Sequence, residues 1–322
     1  MFSSATRTGL IAAFLLSTGT APALAAKSVA SLTLNAAPQP GVMIRIKDAN
    51  LPVRVSLGFE KALVLNLAPA EHAKLKPFPL IGKQTVRNPL IPGGEAVFRG
   101  NFYDVAAAGL PKQSVPTVWV NKVVDAGIDG ILSVMAINAD RVIFTQPAAP
   151  AGGSVYTIPT TGRGDVGGEI KVEGVKISVR FALDAPRTVM HANAAQALVD
   201  AGQLRRNRSV DLWRPFPQVA LPVEGLTPVA GTTILGLPVI DPTVRITEAQ
   251  AKELDARAKA GTSTAAEEED AIVVSGSKRK GNRNRPWILI GRDVLTKCSR
   301  IEMDKPGRQW VLTCNFAAPA KG

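Results

Sequence analysis

The chain has 322 residues, of which 46% are apolar and 20% are charged, so its length suits one large domain or two of ordinary size. This composition lets most of the chain bury a core and excludes a protein that is mainly disordered. The formal charge is +12, and the 28 glycines and 24 prolines suit many strands joined by turns.

The N-terminus is predicted to be a cleaved signal peptide covering residues 1–26. Arg7 precedes the short apolar segment GLIAAFLLSTG, and APALAA offers a cleavage site near Ala25 or Ala26. The apolar segment is too short for a permanent transmembrane helix, although an uncleaved N-terminal anchor remains the alternative. Because no other stretch approaches transmembrane length, we expect an exported protein, periplasmic or secreted, without a transmembrane segment in its mature form.

Strand patterns dominate the remaining chain and indicate a mainly β fold with a few short helices. In the first half the predicted strands are GVMIRI, VRVSLGF, ALVLNL, TVWVNKVV and RVIFTQ. In the second half they are EIKVEG, VKISVRFAL, TTILGLPVI, PWILIG, RIEMD and QWVLTC. Helices are predicted at 70–76, 192–201 and 247–260, the last beginning with a capping box formed by Thr247 and Gln250.

Residues 246–285 are predicted to form an insertion that is helical at first and then disordered. The segment TSTAAEEEDAIVVSGSKRKGNRNR carries an acidic run, one apolar patch and a basic run. The basic run can bind an anionic membrane or cell-wall polymer, or be only a solvated loop. Its residues are Lys278, Arg279, Lys280, Arg283 and Arg285. The export signal argues against nucleic acid as a partner.

The only cysteines are Cys298 and Cys314, which flank two predicted strands and a turn at Lys305, Pro306 and Gly307. A turn at this point places the cysteines opposite each other, so we predict a cross-strand disulfide, which an exported protein can keep. Two buried thiols are the alternative. Two sulfurs without a nearby histidine do not form a zinc site, and neither a metal nor a cofactor is expected.

A long-range repeat divides the chain into two halves. KALVLNLAPAEHAKL in the first half is similar to VRFALDAPRTVMHANAAQAL in the second, and both contain one histidine, His72 or His191, expected to cover a helix end. Each half closes with an apolar strand, a helical turn and a predicted hairpin. We therefore expect two homologous β-rich lobes, at 27–160 and 165–318.

This duplication resembles the pepsin-like and retropepsin-like aspartic proteases, which implies two β-barrel-like lobes with a cleft between them. The segments DGILSVMAI and WILIGRDVL are similar to the family's second conserved element. The resemblance also implies that PGGEAVFRGNFYDV forms a flap over the cleft. By this alignment the two catalytic positions are Asn66 and Asp184. The supporting residues it implies are Leu67, Ala68, Ala185, Pro186, Asp129, Gly130, Gly291 and Asp293.

Aspartic protease chemistry needs two carboxylates that share a proton, and an asparagine cannot accept one. We therefore expect a catalytically impaired protein that binds an extended peptide or protein segment in the cleft. One alternative is an active endopeptidase that uses Asp184 with Asp129, with Asp293, or with a second Asp184 in a homodimer. Another is a structural protein that binds surfaces through its basic run. Asp184 and Asn66 can also be simple helix caps.

Overall fold

The computed structural model describes residues 31–87, 91–150, 152–161, 166–259 and 285–316. The predicted signal peptide and, apart from Arg285, the basic run lie outside these residues. The described chain is mainly β with a few short helices, as predicted. None of its helices combines the length and apolar character needed to cross a membrane.

The first lobe is a seven-stranded sheet in the order β2-β3-β8-β4-β7-β6-β5, and it closes on itself because β2 also pairs with β6. Val53, Val55 and Leu65 point to its core and are almost fully buried. Its strands are β2 (Gly41–Ile46), β3 (Ala49–Ser56), β4 (Leu63–Asn66), β5 (Lys83–Arg87), β6 (Glu95–Ala107), β7 (Gln113–Val120) and β8 (Gly130–Ser133).

The second lobe is a seven-stranded sheet in the order β11-β12-β19-β13-β18-β15-β14. Phe181 in this lobe is fully buried against Trp310, with ring centroids 5.4 Å apart. The strands are β11 (Gly168–Val172), β12 (Val175–Phe181), β13 (Thr188–Met190), β14 (Leu204–Phe216), β15 (Val219–Pro228), β18 (Pro242–Arg245) and β19 (Trp287–Ile290). The two-stranded sheet of β16 (Thr233–Ile234) and β17 (Leu237–Pro238) lies between β15 and β18 in sequence.

The two lobes repeat one topology. β3–β8 and β12–β19 are both parallel, β4–β8 and β13–β19 are both antiparallel, and β4–β7 and β13–β18 are both parallel. The outer pairs β6–β7 and β15–β18 are both antiparallel. Both the strand order and the strand directions are therefore duplicated, which confirms the prediction of two β-rich lobes of the same kind.

A third sheet joins the two halves, in the order β1-β9-β20-β21-β10. Its strands are β1 (Ser31–Asn35), β9 (Arg141–Thr145), β10 (Ser154–Pro159), β20 (Cys298–Asp304) and β21 (Gln309–Cys314). The predicted hairpin at the end of the first half is wrong, because β9 pairs instead with β1 and with β20 of the second half. The second-half hairpin is present, and the predicted disulfide between Cys298 and Cys314 is confirmed.

Each helix begins within a few residues of the end of a strand. They are α1 (Leu67–His72), α2 (Ala192–Asp200), α3 (Glu248–Lys259) and α4 (Arg292–Leu295), and a 3-10 turn at Val134–Ala136 occupies the place of α4 in the first lobe. α1 starts earlier than predicted because Pro69 falls in its first turn, where the missing N–H is not needed. The capping box of α3 is present, since Gln250 N donates to Thr247 Oγ1 at 3.2 Å.

Candidate functional site

The strand register shows which residues of the two lobes are equivalent. In the first lobe Arg54 of β3 pairs with Ile131 of β8. In the second lobe Arg180 of β12 pairs with Leu289 of β19. The two arginines therefore occupy the same place in their lobes, on the strand that leads to the centre of the molecule.

The loop after each of these strands carries the central position of its lobe. Four residues after the arginine, the first lobe has Gly58 and the second has Asp184. The surrounding sequences, VRVSLG and VRFALD, share a valine, the arginine and a leucine at the same spacing. This short repeat is visible in the sequence and identifies the equivalent pair.

The alignment of Asn66 with Asp184 is consequently wrong. Val64 of β4 pairs with Ile131, which also pairs with Arg54, and Val189 of β13 pairs with Leu289, which also pairs with Arg180. Val64 and Val189 are therefore equivalent. Counting two residues on, Asn66 corresponds to His191. Asn66 ends β4, the strand that follows the central loop of the first lobe. The alignment by sequence similarity therefore matched the end of this later strand to the central loop of the second lobe.

Asn66 has a structural role beside the cleft. Its Nδ2 donates to the carbonyl oxygens of Asp125 and Ile128, both at 2.9 Å, and its Oδ1 accepts from Val124 N at 2.7 Å. These bonds fix loop 124–128 against the end of β4. The side chain does not cap α1.

An inter-lobe cavity of about 810 Å³ surrounds Asp184. The tip of the β14–β15 hairpin lines it, and Trp213 on that hairpin lies 6.0 Å from Trp287, measured between ring centroids. The hairpin at the cavity therefore belongs to the second lobe, and residues 92–105, predicted to be a flap, do not line the cavity. Its charged lining residues are Arg54, Glu60, Asp125, Arg180, Asp184, Arg214 and Arg285.

Arg54 reaches across from the first lobe to Asp184, with 3.2 Å between Nη1 and Oδ2. Its Nε lies 2.9 Å from Asp125 Oδ2, although this N–H is not aimed at the oxygen, so the contact is an ion pair rather than a hydrogen bond. Arg54 is only 8% exposed. The acid at the centre of the cavity is thus held by a buried cation that it shares with a second acid.

Arg180 makes the reciprocal contact from the second lobe. Its Nη1 donates to the carbonyl oxygen of Gly58 at 3.1 Å, and its Nη2 pairs with Glu60 at 3.2 Å. Each arginine therefore contacts the central loop of the opposite lobe. The symmetry stops at the side chains, because the first lobe offers a backbone carbonyl where the second offers a carboxylate.

Gly58 leaves little room for an acid at its position. A Cβ atom there would lie 2.9 Å from the carbonyl oxygen of Phe181, closer than side chains normally approach a backbone atom. The close packing of Gly58 against the end of β12 therefore accompanies the loss of the second side chain.

Asp184 is not a helix cap. It lies in a tight turn before β13, and the cap of α2 is His191, whose Nδ1 accepts from Asn193 N at 3.2 Å. Burial, and to a smaller extent the nearby Arg245 guanidinium, lowers the pKa of His191 below its usual value, so the neutral ring that can accept this bond is favoured. His191 covers a helix end, as predicted.

The remaining predicted site residues fall into three places. Ala185 lines the cavity beside Asp184. Leu67, Ala68 and Asp129 line a separate cavity of about 550 Å³ next to α1. Gly130 packs against β4, and Asp293 N donates to Pro186 O at 3.2 Å next to Gly291, on the side of the loop that carries Asp184.

Asp293 is occupied in this supporting role. Its Oδ1 accepts from Thr188 Oγ1 at 3.0 Å and its Oδ2 from Asp241 N at 3.2 Å. Burial raises the pKa of Asp293 despite these hydrogen bonds. Neither Asp129 nor Asp293 lines the cavity that holds Asp184. Among the residues with described positions, no cluster of three histidine, cysteine or acidic side chains is suited to a metal ion.

Neither a protein-family model nor a curated protein matches the chain. Solved structures of proteases do resemble it, among them the following two. One is the aspartic proteinase from Irpex lacteus, with 13% identity and a TM-score of 0.40 over 88% of this chain and 96% of that one. The other is the EIAV protease complexed with the inhibitor HBY-793, with 17% identity and a TM-score of 0.24 over 32% of this chain and 88% of that one. Both likenesses concern the fold, whose assignment depends here on the duplicated strand order.

Proposed function

We propose that this is an exported, catalytically impaired protein that binds an extended peptide or protein segment in its inter-lobe cavity. The proposal depends on the residues at the two equivalent central positions, which are Gly58 and Asp184. Aspartic protease chemistry requires a carboxylate at both. In the aspartic protease mechanism one acid activates water while the other donates a proton to the substrate carbonyl. Glycine can do neither.

The surviving acid is also unsuited to act alone. Asp184 is paired with Arg54, which is shared with Asp125. Arg54 contacts the two carboxylates through different nitrogens, whereas a catalytic pair shares a proton directly between its two acids. Asp125 therefore does not replace the missing partner, although it is the acid that shares a cation with Asp184.

The size and the lining of the cavity support a peptide ligand. Its volume of about 810 Å³ is in the range of ligand sites in proteins, and residues of both lobes and of the β14–β15 hairpin line it. Trp213, Phe216 and Trp287 provide apolar surface for side chains. An extended chain beside the hairpin can gain backbone hydrogen bonds from strand edges while its side chains enter such pockets.

The test uses the exported protein and reduced, carboxymethylated lactalbumin as an unfolded probe. We expect binding, followed by tryptophan fluorescence and by pull-down, without cleavage of the probe at acidic or neutral pH. Phe216→Ser, at the hairpin tip, should weaken binding about tenfold, since central aromatic contacts often contribute more than 1 kcal/mol. Phe102→Ser is the matched control, because Phe102 is exposed and lies outside the cavity.

Two results would overturn the proposal. Cleavage at acidic pH that disappears in Asp184→Ala would show the active endopeptidase instead, and gel filtration would then reveal whether a homodimer supplies the second acid. Equal binding by the wild type and Phe216→Ser, or no binding at all, would show that the cavity is not the peptide site. Surface binding through the basic run remains a prediction, since only Arg285 of that run lies among the described residues.

A further inference from the structure

The first lobe has a surface feature that the second lobe lacks. Residues 73–82 connect α1 to β5, whereas only residues 201–203 connect α2 to β14 at the equivalent place. The longer connection contains the sequence PFPLIG. The duplicated fold does not require these additional residues, because the second lobe is complete without them.

The connection exposes large apolar side chains. Leu80 is fully exposed, Ile81 is 79% exposed and Phe78 is 49% exposed, while Phe102 on the neighbouring strand β6 is 66% exposed. We call these four residues the apolar tip. Exposed apolar side chains that are grouped in this way mark interaction sites more often than isolated ones do.

Backbone hydrogen bonds hold the tip in place. Phe78 N donates to Gly100 O at 2.8 Å, Gly100 N donates to Gly82 O at 2.8 Å, and Gly82 N donates to Phe78 O at 2.9 Å. Tyr103 Oη donates to Lys76 O at 2.8 Å. The apolar side chains are therefore presented by a loop that is fastened to β6.

Lysines flank the tip. Lys74, Lys76 and Lys83 flank it in sequence and are exposed, and none of them forms an ion pair with another described residue. The nearest acids along the chain are Glu71 on α1 and Asp104 on β6, and both are exposed. Three lysines against two acids leave the surroundings of the tip with a small excess of positive charge.

We propose that the apolar tip and its three lysines form a binding surface for an anionic lipid bilayer. The tip is a protruding loop, which suits insertion between head groups. The lysine rim has the charge that anionic head groups attract, at roughly fivefold in affinity for each lysine. A protein partner is a poorer fit, because lysine is depleted in protein–protein interfaces.

The experiment is vesicle co-sedimentation of the exported protein, after its N-terminus has been determined. The vesicles contain phosphatidylcholine alone or mixed with phosphatidylglycerol. We expect binding that needs phosphatidylglycerol and falls on the order of 100-fold in Leu80→Ser/Ile81→Ser, from the loss of two buried aliphatic side chains. Leu212→Ser, an exposed leucine on the β14–β15 hairpin, is the control and should bind like the wild type.

A second variant tests the charges without altering the tip. Lys74→Gln/Lys76→Gln/Lys83→Gln should lose most of its preference for phosphatidylglycerol while remaining folded by circular dichroism. Since every variant keeps the basic run at 278–285, a difference between them is due to the loop. The proposal is overturned if the wild type binds neither kind of vesicle, or if both loop variants bind like the wild type. It is also overturned if light scattering shows that the tip causes only self-association.

Discussion

The central loops of the two lobes, at 57–60 and 183–186, have the same scaffold and different chemistry. Both follow an equivalent strand, both are contacted by an arginine from the opposite lobe, and only one carries an acid at its centre. The duplicated topology therefore does not require a duplicated site. The backbone framework depends on strand pairing and core packing, which survive changes in the few side chains that carry chemistry.

The ionic contacts of the two arginines also differ, in how far they are shielded from solvent. Arg54 is buried and contacts two carboxylates, whereas the carboxylate that pairs with Arg180, Glu60, has a side chain that is 78% exposed. An ion pair in solvent contributes little to stability, and breaking a buried one leaves an uncompensated charge. The cavity thus has one tightly held ionic contact and one loosely held contact.

The largest expected effect comes from giving Gly291 of the second lobe the serine that the first lobe has at the equivalent position. Gly291 is equivalent to Ser133, but a Cβ at Gly291 would lie 2.3 Å from Arg187 O. Gly291→Ser should lower the free energy of unfolding by more than about 3 kcal/mol in urea titration, since the loop that carries Asp184 must shift. Gly127→Ser is the matched control, with nothing within 4 Å of its Cβ. Equal stability of the two variants would contradict this account of the close packing.

The disulfide of the second half is expected to have the next largest effect. The first half has no counterpart to the bond between Cys298 and Cys314, which are 16 residues apart. Replacing both cysteines with alanine should cost about 3 kcal/mol, the amount associated with closing a loop of this length. Urea unfolding of the double variant checks the value, and a loss below about 1 kcal/mol would show that strand pairing alone fixes this hairpin.

The arginine comparison is tested by Arg54→Met and Arg180→Met. Arg54→Met should lower stability at neutral pH by about 2 kcal/mol, because it leaves two partly buried carboxylates without their cation. Arg180→Met should cost about 1 kcal/mol, because Glu60 is largely exposed and the hydrogen bond to Gly58 O is lost as well. Urea titration of both variants decides the point, and the opposite order of stability would refute the difference drawn between the two contacts.

The smallest effect concerns the equivalent pair Asn66 and His191. Because the pKa of His191 is lowered in the folded protein, the unfolded chain binds more protons just below pH 6.5, and stability is lost as the pH falls through that window. His191→Asn should remove this part of the pH dependence and change stability at pH 8 by less than about 1 kcal/mol, as is typical for a cap. Thermal unfolding of both proteins between pH 8 and pH 5 measures it, and parallel curves would rule out the histidine as the source.

Much of the fold could be predicted from the sequence because the signals were local. Strand patterns, the capping box of Thr247 and Gln250, and the turn between Cys298 and Cys314 all depend on neighbours along the chain, and the structure contains each of them. The site was predicted less well. The repeat of a valine, an arginine and a leucine around Gly58 and Asp184 was present, but the alanine-rich segments farther along resembled each other more and displaced the alignment.

Local signals were enough to predict a duplicated, mainly β protein with one disulfide, because alternation of apolar residues, turns and cysteine spacing act over short distances. Three facts needed the folded chain: Gly58 is equivalent to Asp184, Asp125 shares Arg54 with Asp184, and the hairpin that lines the cavity belongs to the second lobe. These facts depend on strand register and on contacts between lobes, where residues more than a hundred positions apart meet. Such contacts leave no periodic pattern in the chain.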